Sequence, residues 1–321
     1  MIYRPFHFEY AKKIIKTYLN ADVNILVNHF NKHYSKNEVD NITRIDNLPA
    51  GAFKMTRAVK KIKNQLLELA KTNQPVTIFI PHTLAILSNY SIFTLAKKYK
   101  NVRINIFYEG IIVFYDYEHD YLKHIGYYIS RWLAGFISGI SYTMNKRLLD
   151  FYDPRIHKIY TPFLNINAPK EKLVKTSLDK INYVPDNDTC VILGLKLENE
   201  YDSEVSRIIH AIYNKLDALK VTTVFFKDHP SEKNEMFEAI AKEQGKTLSL
   251  IHDTSPIEDI IGNYKPKYII SIWSSGLINL SSMLPQSAEI YCFVTEKITE
   301  KPEIKGIITA FAEQNINVIY V

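Results

Sequence analysis

The strongest constraint on the fold is a strict alternation of short apolar runs with longer segments of helical periodicity. The second half shows it most clearly, with strand-like runs at TCVILGL (189–195), VTTVFF (221–226) and YIISIW (268–273), each followed by a helical segment. The first half repeats it around VTIFI (76–80) and VRINIFY (102–108). Strands that alternate with helices form parallel sheets with helices on both faces. We therefore predict an α/β protein built of doubly wound parallel sheets.

The length of the chain predicts two such domains. A chain of 321 residues exceeds the size of most single cores, and two domains of roughly 150 residues are the natural division. The segment 166–188 is polar, contains prolines and lysines and lacks a strong apolar period, as linkers do. We predict a Rossmann-like domain over 1–165, a linker over 166–188 and a second Rossmann-like domain over 189–321. A cleft between two such domains would receive ligands at the carboxyl ends of the strands.

Charge and composition narrow the classes of function. The net charge is +6, but the basic residues are spread along the chain and form no RNP, zinc-finger or arginine-rich motif, so we expect no nucleic-acid partner. No run approaches the ~18 apolar residues that span a bilayer, and the first residues lack a secretory pattern. We expect a cytoplasmic protein in which Cys190 and Cys292 are free, buried thiols.

Three short motifs follow predicted strands, at the positions where such sheets bind ligands. They are Tyr108-Glu109-Gly110, Lys227-Asp228-His229-Pro230 and Ser274-Ser275-Gly276. Each motif alone is weak, because a strand-end turn, a surface histidine before proline and a capped helix are all common. Their occurrence together, in this order, indicates a functional site.

The residue types suit transfer of a group from an activated sugar. Glu109 lies among apolar residues, where desolvation would raise its pKa toward neutrality and make it a general base, and Gly110 permits a tight turn beside a substrate. His229 has the side chain best suited to protonate a leaving phosphate oxygen. Ser274 and Ser275 begin a helix, with Ser275 as the expected N-cap, and a helix N-terminus binds phosphate well.

The three motifs resemble those of bacterial GT-B sialyltransferases, which include lipooligosaccharide sialyltransferases and capsular polysialyltransferases. The resemblance covers the order of elements over most of the chain. It implies the GT-B architecture, two Rossmann-like domains with a cleft between them, and an inverting, metal-independent transfer from CMP-sialic acid. It also implies that Glu109 is the general base and His229 the general acid. The same resemblance assigns the CMP site to Lys227, Pro230, Glu258, Ser274, Ser275 and Gly276, with Glu258 on the ribose.

One position departs from the family pattern. Polysialyltransferases usually have two acidic residues before the glycine, whereas Tyr108 replaces the first of them here. This departure favours a distinct acceptor and weakens the case for polymer synthesis. The resemblance implies a surface glycan as acceptor, on lipooligosaccharide or capsule, and peripheral association with the inner face of the cytoplasmic membrane. Arg4 and His7, after a predicted first strand, are candidate acceptor contacts together with Gly110.

Two further features have competing interpretations. Asp186-Asn187-Asp188 matches the DxD pattern of metal-dependent glycosyltransferases, but it precedes a strand at the linker, so we interpret it as a solvated turn and predict no metal site. The aromatic stretch Tyr121–Tyr142 predicts a helix. We expect this helix to be buried, with a membrane-facing or acceptor-binding surface as the alternative.

Other functions stay open at this point. A related transferase that uses another CMP-nonulosonic acid or a CDP-alcohol would need similar His-Pro and Ser-Ser elements. A non-catalytic sugar-binding protein would keep the two-domain cleft but would not need an acid/base pair. The presence of both Glu109 and His229 favours the enzyme.

Overall fold

The chain divides into two compact α/β units. The computed structural model describes Met1 and residues 5–18, 25–28, 44–48, 52–114, 125–145, 147, 149–194, 202–228, 235–272 and 274–321. The first unit comprises Met1–Val113 with Tyr117–Ser177, and the second comprises Phe114–Asp116 with Leu178–Val321. Among the described residues, no helix is long and apolar enough to cross a bilayer.

The first unit contains a four-stranded parallel sheet in the order β3-β4-β5-β6 and a separate parallel pair, β1-β2. Its strands are β1 (Ile25–Asn28), β2 (Arg44–Asn47), β3 (Val76–Ile80), β4 (Val102–Phe107), β5 (Ile156–Thr161) and β6 (Leu173–Lys175). Its helices are α1 (Pro5–Tyr18), α2 (Ala52–Lys71), α3 (Ile86–Tyr90), α4 (Ala96–Lys98) and α5 (Ile125–Ile137), with a π-helical turn, Ser91–Leu95, between α3 and α4.

The core of the first unit forms around β4. Ile104 and Ile106 are fully buried on one face of this strand, and Asn105 and Phe107 are buried on the other. Burial on both faces is the reason why the strand is an almost continuous apolar run rather than an alternating one. This run made β4 easy to predict from the sequence.

The second unit contains one parallel sheet of six strands in the order β9-β8-β7-β10-β11-β12. Its strands are β7 (Asp186–Leu193), β8 (Thr223–Lys227), β9 (Ser249–Leu250), β10 (Pro266–Ser271), β11 (Glu289–Val294) and β12 (Asn317–Tyr320). Its helices are α6 (Asp202–Ala218), α7 (Glu235–Glu243), α8 (Ile257–Ile260), α9 (Ser275–Met283), α10 (Glu296–Thr299) and α11 (Pro302–Glu313).

The strand order of the second unit is that of a Rossmann domain. Numbered along the chain within the unit, it reads 3-2-1-4-5-6, so the winding direction reverses between β7 and β10. At such a switch point the connections leave in opposite directions and open a crevice at the carboxyl ends of the two strands. We therefore expect a ligand of this unit to bind at the carboxyl ends of β7 and β10.

Among the differences from the sequence-based expectations, two concern the expected linker and helix α5. The segment 166–188, expected as a linker, includes strand β6, whose Leu173 and Val174 pair with β5. Two apolar residues are too few to reveal a strand by periodicity. The helix expected to be buried, α5, is instead largely exposed, with Phe136 71% and Ile137 64% accessible.

Candidate active site

The first group of candidate residues lies beyond the carboxyl ends of β3 and β4. These strands are adjacent and in register, with Ile80 opposite Ile106. Glu109 follows β4 and His82 follows β3, each two residues beyond the strand end. The carboxylate Oε1 of Glu109 lies 3.8 Å from His82 Nε2, and the Glu109 side chain is only 2% exposed. The sheet thus brings a buried carboxylate and an imidazole together.

The tautomer of His82 follows from its other contact. The backbone N–H of Leu84 donates to His82 Nδ1 at 3.2 Å. Because Nδ1 accepts this hydrogen bond, the proton of the neutral imidazole is on Nε2, the nitrogen that faces Glu109. His82 therefore presents an N–H group, or a positive charge when protonated, to the candidate base.

The residues on either side of Glu109 fix its position. Tyr108 is fully buried, packs against Tyr10 and Phe163, and donates its backbone N–H to Tyr160 at 2.9 Å. Gly110 has a φ of 74°, a conformation that glycine adopts without strain, and begins a 3-10 turn. Tyr108, which replaces the first acidic residue of the family pattern, is thus a core residue. Of these two positions, only Glu109 offers a side chain for acid/base chemistry at the carboxyl end of β4.

The second group lies at the switch point of the second unit. Lys227 of β8 is opposite Leu193 of β7, and Leu193 is opposite Ser271 of β10. Three neighbouring strands therefore end at one level, and the hydroxyl of Ser271 donates to the Leu193 carbonyl at 2.8 Å. The motifs that follow β8 and β10 leave the sheet from the two strands on either side of β7.

The Ser-Ser motif forms the start of α9. The N-cap is Ser274, one residue earlier than expected, and its Oγ accepts from the backbone N–H of Gly276 at 3.2 Å. A Cβ on Gly276 would lie 3.2 Å from Leu193 Cδ1 and 3.3 Å from Ile257 Cγ2, so glycine allows α9 to begin close against β7 and α8. The helix N-terminus, with its positive dipole, is thereby held at the switch point.

A carboxylate and an ammonium group lie near this helix start. Asn279, one turn along α9, donates to Glu258 Oε1 at 2.6 Å, and desolvation raises the pKa of Glu258. Desolvation lowers the pKa of Lys227, while the carboxylates of Asp253, Glu258 and Asp228 oppose that effect. Lys227 Nζ also donates to the backbone carbonyl of Asp253 at 2.5 Å. The structure thus brings Lys227, Glu258 and the α9 N-terminus into one region.

Several predicted site residues lie outside the described part of the chain. They are His229, Pro230, Arg4 and the side chain of His7. Their predicted roles stay predictions. The described residues include no group of three or more histidine, cysteine or carboxylate side chains that could hold a metal ion. The cysteines Cys190 and Cys292 are buried and free.

His82 is the site residue that the sequence interpretation missed. A histidine just after a strand is a weak signal of function by itself, and so is the Glu109-Gly110 pair. The missing information was strand adjacency, because only the pairing of β3 with β4 places the two strand-end motifs side by side.

The fold has known counterparts among solved structures. The structure of a putative UDP-N-acetylglucosamine 2-epimerase from Listeria monocytogenes matches with a TM-score of 0.54 at 11% identity, covering 100% of this chain and 83% of the other. Weaker matches are the UDP-GlcNAc 2-epimerase of Methanocaldococcus jannaschii (TM-score 0.49, 13% identity, 99% and 87% covered) and MurG of Acinetobacter baumannii (TM-score 0.46, 12% identity, 98% and 80% covered). A search of curated proteins found no matching relative.

Two Rossmann-like units with parallel sheets, together with this likeness, define the GT-B fold. The family model of alpha-2,8-polysialyltransferase matches residues 1–293. The chain belongs to the alpha-2,8-polysialyltransferase family and is a glycosyltransferase of the sialyltransferase kind. The resemblance found in the sequence is thereby confirmed.

Proposed function

We propose that the chain transfers sialic acid from CMP-sialic acid to a hydroxyl group of a surface glycan, on lipooligosaccharide or capsule. The observation that carries the proposal is the arrangement of Lys227, Glu258 and the N-terminus of α9 at the switch point of the second unit. A helix N-terminus with serine hydroxyls suits a phosphate, an ammonium group adds positive charge, and a carboxylate accepts from ribose hydroxyls. These are the chemical requirements of a nucleoside monophosphate.

The proposed reaction is a direct displacement that inverts the anomeric carbon. Glu109 removes the proton from the acceptor hydroxyl as its oxygen attacks, and the bond from the anomeric carbon to the phosphate oxygen of CMP breaks. His229 gives a proton to that departing oxygen. His82 acts as a positioning residue, because its Nε2–H faces Glu109 and favours the ionised form of the carboxylate.

The proposed donor chemistry needs no metal ion. The leaving group is a monophosphate, whose developing charge Lys227, His229 and the α9 dipole can stabilise. We further propose that the enzyme acts in the cytoplasm, peripherally on the inner face of the cytoplasmic membrane, where a membrane-borne glycan acceptor would be accessible.

Calorimetry of CMP, CDP and UDP tests the donor assignment. Loss of one charge-assisted phosphate contact costs ~1.5–3 kcal/mol, so Ser274→Ala with Ser275→Ala should weaken CMP at least ~10-fold. The same helix offers a matched control, Ser281→Ala with Ser282→Ala, at its opposite end. This control should bind CMP as the wild type does.

Two results would contradict the donor assignment. One is that UDP binds as tightly as CMP, and the other is that the Ser274/Ser275 variant keeps its full affinity for CMP. Tighter binding of CDP than of CMP, with transfer of an alcohol phosphate from a CDP-alcohol and release of CMP, would identify that donor class instead. Release of CMP from CMP-sialic acid, in the presence and absence of a glycan acceptor, measures the reaction itself.

A further inference from the structure

The exposed apolar side chains of the described residues concentrate on one helix. Of the fourteen large hydrophobic side chains that are exposed, seven belong to α5. They are Ile125, Tyr127, Ile129, Trp132, Leu133, Phe136 and Ile137. Trp132 and Phe136, one turn apart, stack with their ring centroids 5.9 Å apart. Single exposed apolar residues are normally scattered over a protein surface. A contiguous exposed apolar face such as this one is typical of an interaction site.

The opposite face of α5 is firmly packed. Tyr128 is buried in a cluster with Leu84 and Tyr142, and its hydroxyl donates to the carbonyl of Asn145 at 3.1 Å. Gly135 is buried where a Cβ would lie only 3.0 Å from the carbonyl oxygen of Ile140. The helix is therefore seated on the first unit through small and tyrosine side chains, and its outer apolar face is a defined surface.

Basic side chains lie beside this surface at Arg131 and Lys63. The sequence from Ile125 to Leu149 contains no Asp or Glu, and the guanidinium group of Arg131 lies over the Tyr127 ring at 5.0 Å. Helix α2 adjoins the end of α5, since Lys63 Nζ donates to the carbonyl of Gly139 at 3.3 Å. The first half of α2 carries four exposed cations, which we call the basic stripe: Lys54, Arg57, Lys60 and Lys61. The last turn of α2 adds Lys71, which pairs with the exposed Glu68.

The combination of an apolar face and a basic border identifies the partner. Helices that lie in a membrane interface insert aromatic and aliphatic side chains while flanking cations contact anionic headgroups. Tryptophan is favoured at that depth, and the exposed Trp132 lies about midway along the helix. A second copy of the chain fits poorly, because a symmetric contact would bring two basic borders together.

We propose that the outer face of α5, together with the basic stripe of α2, is a docking surface for an anionic lipid bilayer. The proposal develops the peripheral location proposed above, and it requires neither the donor nor the acceptor assignment. Docking would hold the first unit against the membrane surface.

Cosedimentation of the full chain with vesicles tests the proposal. Vesicles of mixed phosphatidylglycerol and phosphatidylcholine should bind the protein, and high salt should weaken binding because it screens the headgroup charge. Trp132→Gln with Phe136→Gln should weaken binding at least ~10-fold, since two inserted aromatic rings are lost. Lys60→Gln with Lys61→Gln should weaken binding to these vesicles roughly tenfold and should hardly change binding to pure phosphatidylcholine vesicles.

A control removes exposed apolar side chains elsewhere. Leu164→Gln with Val184→Gln should bind vesicles as the wild type does, and an unchanged circular dichroism spectrum and melting temperature establish that each variant is folded. The proposal is overturned if the wild type fails to bind anionic vesicles or if the Trp132/Phe136 variant binds equally well. It is also overturned if light scattering shows a dimer that this variant lacks. Because no donor or acceptor is present, none of these results bears on the transferase assignment.

Discussion

At the scale of single residues, Glu109 is the proposed base of the first unit. Its buried carboxylate lies at a sheet edge, and glutamine keeps its shape while removing its basicity. We expect Glu109→Gln to lower kcat at least ~100-fold with the CMP dissociation constant nearly unchanged, because the proposed CMP site lies in the other unit. Steady-state kinetics and calorimetry measure the two quantities. Glu171→Gln, an exposed glutamate of the same unit, is the control, and near-normal turnover in folded Glu109→Gln would exclude Glu109 as the base.

His82 has a distinguishable signature at the same scale. Replacing it with leucine removes the N–H that faces Glu109, so the ionised carboxylate becomes less favourable and its pKa rises. We expect kcat to fall roughly tenfold, and the acid limb of the pH–rate profile to move to higher pH.

His82→Gln, which keeps a polar N–H group near this position, should recover part of the rate. His157→Leu, at an exposed histidine of β5, is the control. A loss of thermal stability with the acid limb unmoved would mean that His82 only supports the fold.

At the scale of elements, the turn between β4 and the following 3-10 segment depends on glycine. The φ of 74° at Gly110 costs an L-residue about 1–2 kcal/mol. Gly110→Ala should therefore lower the free energy of unfolding by that amount in urea titrations, and should lower kcat by displacing Glu109. Gly126→Ala is the matched control, because its added Cβ meets nothing within 4 Å and alanine favours a helix. Equal stability of the two variants would contradict this account of the turn.

The elements that the sequence predicted are those with long or regular apolar patterns. The strands β3, β4, β7 and β10 are buried runs, and helices such as α2 have a clear amphipathic period. The strands missed are short or mixed. Strand β2 (RIDN) is mostly polar, β5 (IHKIYT) buries only part of its residues, and β6 has three residues. Periodicity also could not show the exposure of α5, since a helix that is apolar all round is usually buried.

The sequence predicted those parts of the candidate site that consist of short local motifs. The Glu-Gly and Ser-Ser motifs lie at strand ends, as expected, because strand ends can be read from local sequence. The contact of His82 with Glu109 and that of Asn279 with Glu258 depend on strand order and helix packing. Such contacts join residues far apart in sequence, and no local pattern reports them.

At the scale of the whole molecule, the proposed functions are distributed over the two units. The proposed base, Glu109, and the outer face of α5 belong to the first unit, and the proposed nucleotide site belongs to the second. Substitutions on the outer face of α5 should change vesicle binding alone, whereas those at the nucleotide site should change donor binding and turnover. This division allows donor binding, catalysis and vesicle binding to be measured independently on the same set of variants.

The position of the DxD pattern within the second unit leads to a prediction about metals. Asp186 and Asp188 lie at the amino end of β7, where the hydroxyl of Thr222 donates to Asp188 Oδ2 at 2.8 Å. The nucleotide site proposed here is at the other end of this strand, near Leu193. The five to seven residue steps from these aspartates to Leu193 span ~16–23 Å, too far for a metal ion on these carboxylates to touch the phosphate of a bound donor.

We therefore expect transfer from CMP-sialic acid to continue in excess EDTA, and the variant Asp186→Asn with Asp188→Asn to keep its full rate. Added magnesium or manganese should not raise the rate of either protein. The matched comparison is Lys227→Met, which removes a positive charge at the carboxyl edge and should slow transfer whether or not a metal is present. Loss of activity in EDTA that magnesium or manganese restores, and that the Asp186/Asp188 variant reproduces, would show that the amino edge of β7 holds a metal that the reaction requires.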